Sequence, residues 1–406
     1  MPALLPEETQ VLVVGAGPTG LAATISLICN GIDPSKLTIV DALEKGANTS
    51  RALAIHAATL EALDKYGCAS KLIELGIKGS GWAFGDRTTT IFKGDFSCIS
   101  PYTKFPFVLT LRANRLRNIP YRVVGMKNST SGKGIDVTFE SGEIVRAEYV
   151  IGADGSKSVV RQLSGINFAD PDGEFDDNSP VDSSKITQMV IADVSLSLED
   201  NRDALAAGAS ITASKDGIQT LSEAPETLPS DHDSSDSVGE IIYRVGFNVP
   251  QAQGDPPSHP SLDYIQSNMN HQAPFHMCSD SKTSSNPVRI TKVHWSSRYR
   301  THSSIADVFI KRVHGGTIFL VGDAAHIHSP VGGQGMNLGL RDATGLGREL
   351  AEHIRKQGRR GITRVGRGYH CFGNLRGGET SPWSRCYQAH ENLAWNGGLY
   401  DAATMV

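Results

Sequence analysis

Three short apolar runs divide the chain, and each one leads into a turn that contains glycine. They are residues 11–14, 149–151 and 317–321. Continuous apolar runs of this length are typical of strands buried on both faces of a parallel sheet. Behind the first and third runs, apolar residues repeat at helical spacing, which predicts one helix that Gly31 ends and another over 336–354. The pattern therefore predicts strand–turn–helix units and the α/β class.

Between the second and third runs, the pattern changes to alternation of apolar and polar residues. Residues 185–196, 240–250 and 288–300 suit strands in this way, and Tyr243 and Phe247 lie on one face of the middle stretch. Alternation is typical of strands that have one buried face. No stretch of comparable length with helical spacing separates them, so we predict an antiparallel sheet inserted into the α/β domain.

The turn after the first apolar run has glycines at the spacing of a dinucleotide-binding loop. Gly15 allows the tight turn, Gly17 lets backbone N–H groups approach a pyrophosphate, and Gly20 permits close packing of helix on strand. A second predicted strand, 36–41, ends in Asp41, where an acidic side chain can bind a ribose hydroxyl. An ordinary glycine turn is the alternative, and the combination favours a bound dinucleotide.

Two later turns repeat the order of strand, glycine and aspartate. Residues 152–161 read GADGSKSVVR, and residues 322–337 read GDAAHIHSPVGGQGMN. With SRALAIHAATLEAL at 50–63, these turns resemble motifs of the FAD-dependent aromatic hydroxylases related to p-hydroxybenzoate hydroxylase and phenol 2-monooxygenase. The resemblance covers most of residues 9–357. It implies a Rossmann-like FAD-binding domain with an inserted antiparallel β-sheet substrate domain.

The same resemblance implies which residues contact FAD. It places Asp41 on the adenosine ribose, Asp323 on a ribityl hydroxyl, and the segment 330–337 beside the isoalloxazine ring. It also places Asp154 and Gly155 near the pyrophosphate and the path of NAD(P)H. The cofactor-binding residues implied in this way are Gly15, Gly17, Gly20, Asp41, Arg51, Asp154, Gly155, Gly322, Asp323, Pro330, Gly335, Met336 and Asn337.

An activity also follows from the resemblance. NAD(P)H would reduce FAD and leave, and O2 would react with the reduced flavin to give a C4a-hydroperoxide that hydroxylates a phenol-like aromatic compound. The chain has one dinucleotide fingerprint, which suits NAD(P)H as a visiting co-substrate. A flavoprotein oxidase or reductase of the same fold is one alternative. Another is a degenerate or truncated non-catalytic paralogue with impaired FAD binding.

The non-catalytic alternative rests on two departures from the family pattern. Only nine residues, 112–120, separate the strand-like stretch 105–111 from the next one, which is too few for a helical crossover between parallel strands. After residue 357, the stretch 358–378 is rich in glycine and arginine and shows no periodicity.

Three histidines are candidates for chemistry. His56 lies in the segment expected beside the flavin and could take a proton from a phenolic substrate, or it could be a hydrogen-bonded core residue. His326 and His328 stand two residues apart, as metal ligands on a strand can, but no further ligand stands at a suitable spacing. We therefore predict no metal, and we interpret these two histidines as hydrogen-bonding partners of their own loop.

The patterns also suggest bounds for the domains. Residues 1–165 and 311–357 are predicted to form the FAD-binding domain, 166–310 the substrate domain, and 358–406 an atypical tail. Within the substrate domain, a strongly acidic stretch covers about 198–240. We interpret it as a solvated loop rather than a cation site.

Composition narrows the class of partner. The formal net charge is −4, so no general basic character predicts binding to nucleic acid. No apolar run reaches the ~18 residues that span a bilayer, and the first ten residues do not resemble a secretory signal, which predicts a cytoplasmic location. The six cysteines form no CxxC pair, so we predict reduced, structural thiols. The expected partners are a small aromatic substrate and O2.

Overall fold

The computed structural model describes residues 5–43, 54–111, 121–130, 132–169, 187–197, 208–224, 241–301, 303–313, 315–328 and 333–357. The strands in these ranges are β1 (Glu8–Val14), β2 (Leu37–Val40), β3 (Ala54–Ile55), β4 (Ile77–Gly79), β5 (Gly81–Gly85), β6 (Thr90–Asp95), β7 (Val108–Thr110), β8 (Val123–Asn128), β9 (Ile135–Phe139), β10 (Ile144–Gly152), β11 (Phe168–Ala169), β12 (Thr187–Leu196), β13 (Gly208–Ser214), β14 (Gly217–Ala224), β15 (Ile242–Asn248), β16 (Ile290–Thr301), β17 (Ser304–Ala306), β18 (Ile310–Val313), β19 (Gly316–Leu320) and β20 (His326–Ile327). The helices are α1 (Pro18–Cys29), α2 (Ala57–Asp64), α3 (Ala69–Leu75), α4 (Val159–Leu163), α5 (Leu262–Gln272) and α6 (Gln334–Gln357).

The first sheet has four parallel strands at its centre, in the order β19, β10, β1 and β2. The strand β18 pairs antiparallel with β19, and the β8–β9 hairpin pairs antiparallel with the start of β10. The register places Val14 beside Val40 and Gly152, and Gly152 beside Leu320. All four parallel strands therefore end at one edge, which we call the carboxyl edge. Ligands of open α/β sheets bind at such an edge where the strand order reverses, as it does at β1.

Both faces of the first sheet are covered, which explains the continuous apolar runs. On one face, Val11, Val13 and Ile151 pack in a core with Leu27 of α1 and Leu346 of α6. On the other face, the alternate residues of the same strands pack against the β8–β9 hairpin. Burial of each such side chain stabilises the fold by roughly 1.5–3 kcal/mol. Packing therefore fixes α1 and α6 relative to the strands whose ends they follow.

The second sheet has seven strands in the order β16, β12, β15, β14, β13, β5 and β6. All neighbours in it are antiparallel except β13 and β5. One face, which includes Ala192, Val245 and Phe247, packs against Ile265 and Met269 of α5. The predicted α/β class and the predicted antiparallel sheet are thus confirmed.

Two predictions for this region are corrected. The helix α5 lies between β15 and β16, where the hydrophobic pattern predicts none. Its sequence is mostly polar, and its buried apolar residues, Ile265 and Met269, are too few to show a clear helical period. The strands β13 and β14 lie inside the acidic stretch 198–240 that is predicted to be a loop. The residues 209–214 of β13 do alternate, but the apolar ones are mostly small, so the acidic composition of the whole stretch outweighs this short signal. Residues 198–207 and 225–240 lie outside the described residues.

The short segment after residue 111 does not interrupt a parallel crossover. The strand β7 pairs antiparallel with β3 and β4 in a small three-stranded sheet, whereas β8 pairs antiparallel with β9 in the first sheet. Since β7 and β8 are not parallel neighbours, the length required for a helical crossover does not apply to them. The length argument for a missing crossover helix therefore does not apply here, and the absence of a helix after residue 111 stays a prediction. Residues 112–120 themselves lie outside the described residues.

The chain passes between the two large sheets more than once. Residues 81–95 supply β5 and β6 to the second sheet, although they precede most strands of the first. The domain bounds 1–165, 166–310 and 311–357 remain a prediction, and the tail 358–406 lies outside the described residues.

Candidate functional site

The carboxyl edge of the first sheet brings together all three turns that the sequence singles out. The backbone N–H of Gly15 donates to Val40 O at 2.8 Å, and that of Ala153 donates to Val14 O at 2.8 Å. The backbone N–H of Val321 donates to Gly152 O at 3.0 Å. These bonds continue the parallel ladder beyond the strands. Three turns are therefore neighbours in space. They are the glycine turn, which runs from Gly15 to Gly20, the Asp-Gly turn, which contains Asp154 and Gly155, and the Gly-Asp turn, which contains Gly322 and Asp323.

The glycine turn combines two blocked positions with one open position. Gly15 has a φ of +107°, and a Cβ there would lie 2.3 Å from Ala153 O. A Cβ on Gly20 would lie 1.8 Å from Gly15 O. No atom lies within 4 Å of the place where Gly17 would carry a Cβ. Gly17 precedes α1, whose N-terminus has no side-chain cap, so backbone N–H groups at this point are available to an anion.

Asp41 is held in contact with the glycine turn. The backbone N–H of Ala16 donates to Asp41 Oδ2 at 2.7 Å, and that of Leu43 donates to Oδ1 at 2.8 Å. The sequence places Asp41 correctly at the end of the second strand, but its contact with Ala16 cannot be inferred from spacing. The carboxylate is thereby fixed beside the start of α1, where the resemblance expects a ribose.

Asp154 caps the short helix α4. Its carboxylate accepts from the hydroxyl of Ser158 at 2.5 Å and from the backbone N–H groups of Val159 and Val160 at 2.7 and 3.1 Å. Burial raises the pKa of this carboxyl, although the hydrogen bonds act in the opposite direction. Gly155 follows with a φ of +82°. The side chain of Asp154 thus anchors α4, while its backbone nitrogen lies against Gly15.

The Gly-Asp turn is held between α1, α4 and α6. Gly322 has a φ of +60°, and a Cβ there would lie 2.8 Å from Thr19 Oγ1 of α1. The buried guanidinium of Arg161 donates through Nη1 to Ala324 O at 2.9 Å. Asp342 of α6 accepts from the backbone N–H of Gly322 at 3.2 Å. In contrast to these buried groups, Asp323 is exposed beside the turn.

His56 and Asn337 join β3 to the start of α6. Buried Asn337 accepts from the backbone N–H of His56 at 2.9 Å and donates to Ala54 O at 2.9 Å and Gly333 O at 2.8 Å. The side-chain amide of Gln334 lies 3.1 Å from His56 Nδ1. Burial and the positive charge of Arg341 lower the pKa of His56, so its imidazole is neutral at pH 7.

Other predicted cofactor residues lie around this junction. Gly335 lies beside His328, and Met336 packs, partly buried, against core residues that include Leu60 and Leu340. Arg51 and Pro330 lie outside the described residues.

His326 is placed differently from the prediction. It does not bond only within its loop, because its Nε2 lies 2.7 Å from Asp342 Oδ2 on α6. Asp342, four positions before Leu346 on α6, was not predicted as a site residue, and its regular helical position gives no sign of the contact. Within the described ranges, no three His, Cys, Asp or Glu side chains are grouped so that they could hold a metal ion. No helix in those ranges is both long and apolar enough to cross a membrane.

A buried ion pair lies on the face of the second sheet opposite α5. Arg244 donates to Asp193 through Nε at 2.7 Å and through Nη2 at 2.9 Å, and the two side chains are 8% and 0% exposed. The register places Asp193 beside both Arg244 and Trp295. The Arg244 guanidinium lies 5.6 Å from the Trp295 ring. The alternation of apolar and polar residues is consistent with Asp193 and Arg244 on the face opposite the apolar one, but it does not predict that the two residues pair.

The residues at the carboxyl edge fit FAD. The open position at Gly17 leaves room for a pyrophosphate against the uncapped N-terminus of α1. The Asp41 carboxylate lies at the same edge, and the exposed Asp323 carboxylate lies across it on the Gly-Asp turn. Both can accept hydrogen bonds from hydroxyl groups. This arrangement suits a ligand that has a diphosphate between two polyol or sugar units.

Comparison with known proteins agrees with this geometry. The family model described as "FAD binding domain" matches residues 8–185 and 278–364. The chain belongs to this family, and its resemblance to FAD-dependent aromatic hydroxylases is confirmed.

Two curated relatives are similar along most of the chain. Pentachlorophenol 4-monooxygenase of Sphingobium chlorophenolicum is 26% identical over 362 residues, which cover 85% of this chain and 58% of the relative. 6-Methylpretetramide 4-monooxygenase of Streptomyces rimosus is 26% identical over 371 residues, which cover 86% of this chain and 57% of the relative. The chain therefore spans less than two thirds of the length of these relatives.

Solved structures show the same fold. p-Nitrophenol 4-monooxygenase from Pseudomonas putida has a TM-score of 0.64 at 19% identity and covers 87% of this chain and 82% of its own. A complex of aklavinone-11 hydroxylase with FAD and aklavinone has a TM-score of 0.63 at 18% identity. The match covers 87% of this chain and 64% of the hydroxylase chain. At these identities the likeness supports the predicted fold.

Proposed function

We propose that the protein is an FAD-dependent monooxygenase that uses NAD(P)H and O2 to hydroxylate a phenol-like aromatic compound. The observation that carries the proposal is the carboxyl edge, where an open Gly17 lies between two blocked glycines. Two acidic side chains, Asp41 and Asp323, accompany it. The curated relatives, which are named as monooxygenases of aromatic compounds, support the reaction class.

In this proposal, the chain's own residues hold and orient the cofactor. The backbone at Gly17 binds the pyrophosphate, Asp41 accepts from the adenosine ribose, and Asp323 accepts from the ribityl chain. The predicted segment 330–337, which includes the start of α6, borders the ring, and its helix N-terminus stabilises negative charge there. Bound FAD supplies hydride acceptance, O2 activation and oxygen transfer. Asp154, Gly155 and Arg51 complete the proposed cofactor-binding residues.

His56 is proposed to contact the substrate oxygen. In the neutral imidazole, Nδ1 accepts from the Gln334 amide, so the remaining proton lies on Nε2. Nε2 then donates a hydrogen bond and can orient a phenolic oxygen. With the Gln334 amide in the reverse orientation, Nδ1 would be the donor and Nε2 could take the phenol proton. Both roles place His56 at the substrate, and they differ in which atom carries the proton.

The substrate chamber is proposed to lie against the face of the second sheet opposite α5. The register places Phe84, Ile211 and Ile191 on that face, in line with Gly246 and Thr220. These three side chains are half-buried, whereas the apolar residues of the other face are covered by α5. Half-buried apolar side chains of this kind suit contact with an aromatic ring system.

The proposal is tested by turnover of the FAD-loaded protein. NADH or NADPH is added with a panel of phenols and polyketide-derived aromatic compounds in buffer that contains isotopically labelled O2. We expect one class of compound to accelerate NAD(P)H oxidation and to gain one labelled oxygen atom, measured by mass spectrometry.

Two results would favour the alternatives. NAD(P)H oxidation that yields only hydrogen peroxide with every compound supports an oxidase or reductase. Folded protein that cannot take up FAD supports the non-catalytic paralogue.

A further inference from the structure

We propose that His326 and Asp342 form a charged pair that positions the Gly322–Asp323 turn for FAD, and that FAD affinity therefore depends on the charge of His326. The inference rests on the proposed assignment of FAD to the carboxyl edge. It assigns positioning roles to two residues that need not contact the cofactor themselves.

The pair joins two ends of the same turn. Asp342 Oδ2 accepts from His326 Nε2 at 2.7 Å and from the backbone N–H of Gly322 at 3.2 Å. The two side chains are each 12% exposed, so water screens their attraction only weakly. One carboxylate oxygen thus joins the start of the turn, at Gly322, to the strand that follows it, at His326. Asp323 lies between these two points of attachment.

The pair shapes the turn on one side. On the other sides, Thr19 limits the approach of Gly322, and Arg161 donates to Ala324 O. Those contacts fix positions, but Asp342 is the group that binds the first N–H of the turn. If the charge on His326 is lost, the attraction that holds Asp342 in place is reduced. The carboxylate of Asp323 is then held less firmly where the ribityl chain is proposed to bind.

The surroundings of His326 favour its charged form. Burial disfavours a charged His326, but Asp342, its hydrogen bond, and Asp323 outweigh burial and raise the pKa of His326 above its usual value. Around it, β17 places uncharged Ile305 opposite His326, and the Phe309 ring lies 6.3 Å away. A raised pKa means that the stabilising charge is fully present below pH ~6.5 and is lost as the pH rises through the higher folded value. FAD should therefore bind less tightly at alkaline pH.

The test is FAD affinity, measured by quenching of flavin fluorescence between about pH 6 and pH 9. The variants are His326→Gln, which keeps a donor without the charge, and Asp342→Asn, which keeps the shape of the acceptor without the charge. His353→Gln is the matched control, because His353 lies on the same helix and packs against Tyr149 away from the turn. Far-UV circular dichroism at each pH verifies that the proteins are folded.

We expect the Kd of the wild-type protein to rise about tenfold across this range, as for loss of one charged hydrogen bond. His326→Gln should show the high-pH Kd throughout, and Asp342→Asn should shift the rise to lower pH. His353→Gln should follow the wild type.

Other outcomes distinguish a failure of the positioning role from a failure of the proposed FAD binding. A flat wild-type profile, or an unchanged profile in His326→Gln, overturns the positioning role. Folded wild-type protein that binds no FAD at any pH overturns the proposed function. If neither variant folds, the wild-type and His353→Gln profiles still decide, because a flat profile in both contradicts the inference.

Discussion

At the carboxyl edge of the first sheet, the closest contacts are between main-chain atoms, whereas on the face of the second sheet opposite α5 side chains form the contacts. A Cβ on Gly20 would lie 1.8 Å from Gly15 O, so that contact is between backbones. On the second sheet, the buried contact is the Asp193–Arg244 side-chain pair. Backbone geometry at the edge suits FAD, because this cofactor is the same whichever substrate is bound. A face built from side chains can change with the substrate while the strands stay the same.

The largest expected effect comes from breaking the backbone contact at the edge. Gly20→Ala places a Cβ against Gly15 O, which neither backbone can avoid without moving, and should destabilise the protein by about 3 kcal/mol or more. Urea unfolding measures this loss. Gly17→Ala is the matched control, because a Cβ there meets no atom within 4 Å.

Gly17→Ala also separates ligand binding at the edge from the stability of the edge. Its unfolding free energy should stay within about 1 kcal/mol of that of the wild type, since alanine only weakens the N-cap of α1, but its FAD affinity should fall, because the added methyl group occupies the proposed pyrophosphate site. Equal FAD affinity in Gly17→Ala and the wild type would contradict the assignment of that site.

An effect of similar size is expected from the face of the second sheet opposite α5. Asp193→Ala leaves the Arg244 guanidinium buried without its partner and should cost about 3–5 kcal/mol of unfolding free energy. If the two regions are separate in function, FAD affinity of the folded variant should remain within about twofold of the wild type, since Asp193 does not lie at the carboxyl edge. A large loss of FAD affinity at a temperature where the variant is folded would show that the regions are coupled.

A smaller effect is expected at Asp154, whose carboxylate caps α4. Asp154→Ala removes the acceptor for two backbone N–H groups and should cost about 2 kcal/mol of unfolding free energy. Ser158→Ala removes one part of the same cap, the bond that Ser158 Oγ accepts from the Arg161 backbone N–H, and should cost about 1 kcal/mol. Thermal unfolding compares the two. A larger loss in Ser158→Ala would mean that Asp154 is not the main cap.

The smallest effect is expected at His56, where β3 meets the start of α6. His56→Asn keeps a polar group near Nδ1 but removes Nε2, and kcat/KM for the preferred aromatic compound should fall about tenfold, or ~1.4 kcal/mol. FAD affinity should not change.

The pH profile provides the check on His56. Its pKa is lowered by burial and Arg341, so wild-type kcat/KM should be constant above pH ~6.5 and fall only below it. If the wild type and His56→Asn had the same kcat/KM at every pH, the proposal that His56 contacts the substrate would be contradicted.

The sequence predicts the carboxyl edge well because local patterns determine it. Gly15, Gly17 and Asp41 follow their strands directly, and parallel pairing then brings the strand ends together. The sequence does not predict the contacts that cross the fold. Asp342 meets His326 only because α6 packs over the Gly-Asp turn, and α5 is stabilised by tertiary burial of two side chains.

The most direct test of the account is the visible absorption spectrum of the purified protein during titration with FAD. We expect saturation at one FAD per chain, with flavin absorption bands that shift on binding. Folded protein whose spectrum stays that of free FAD at every ratio would contradict the claim that the carboxyl edge is a flavin site.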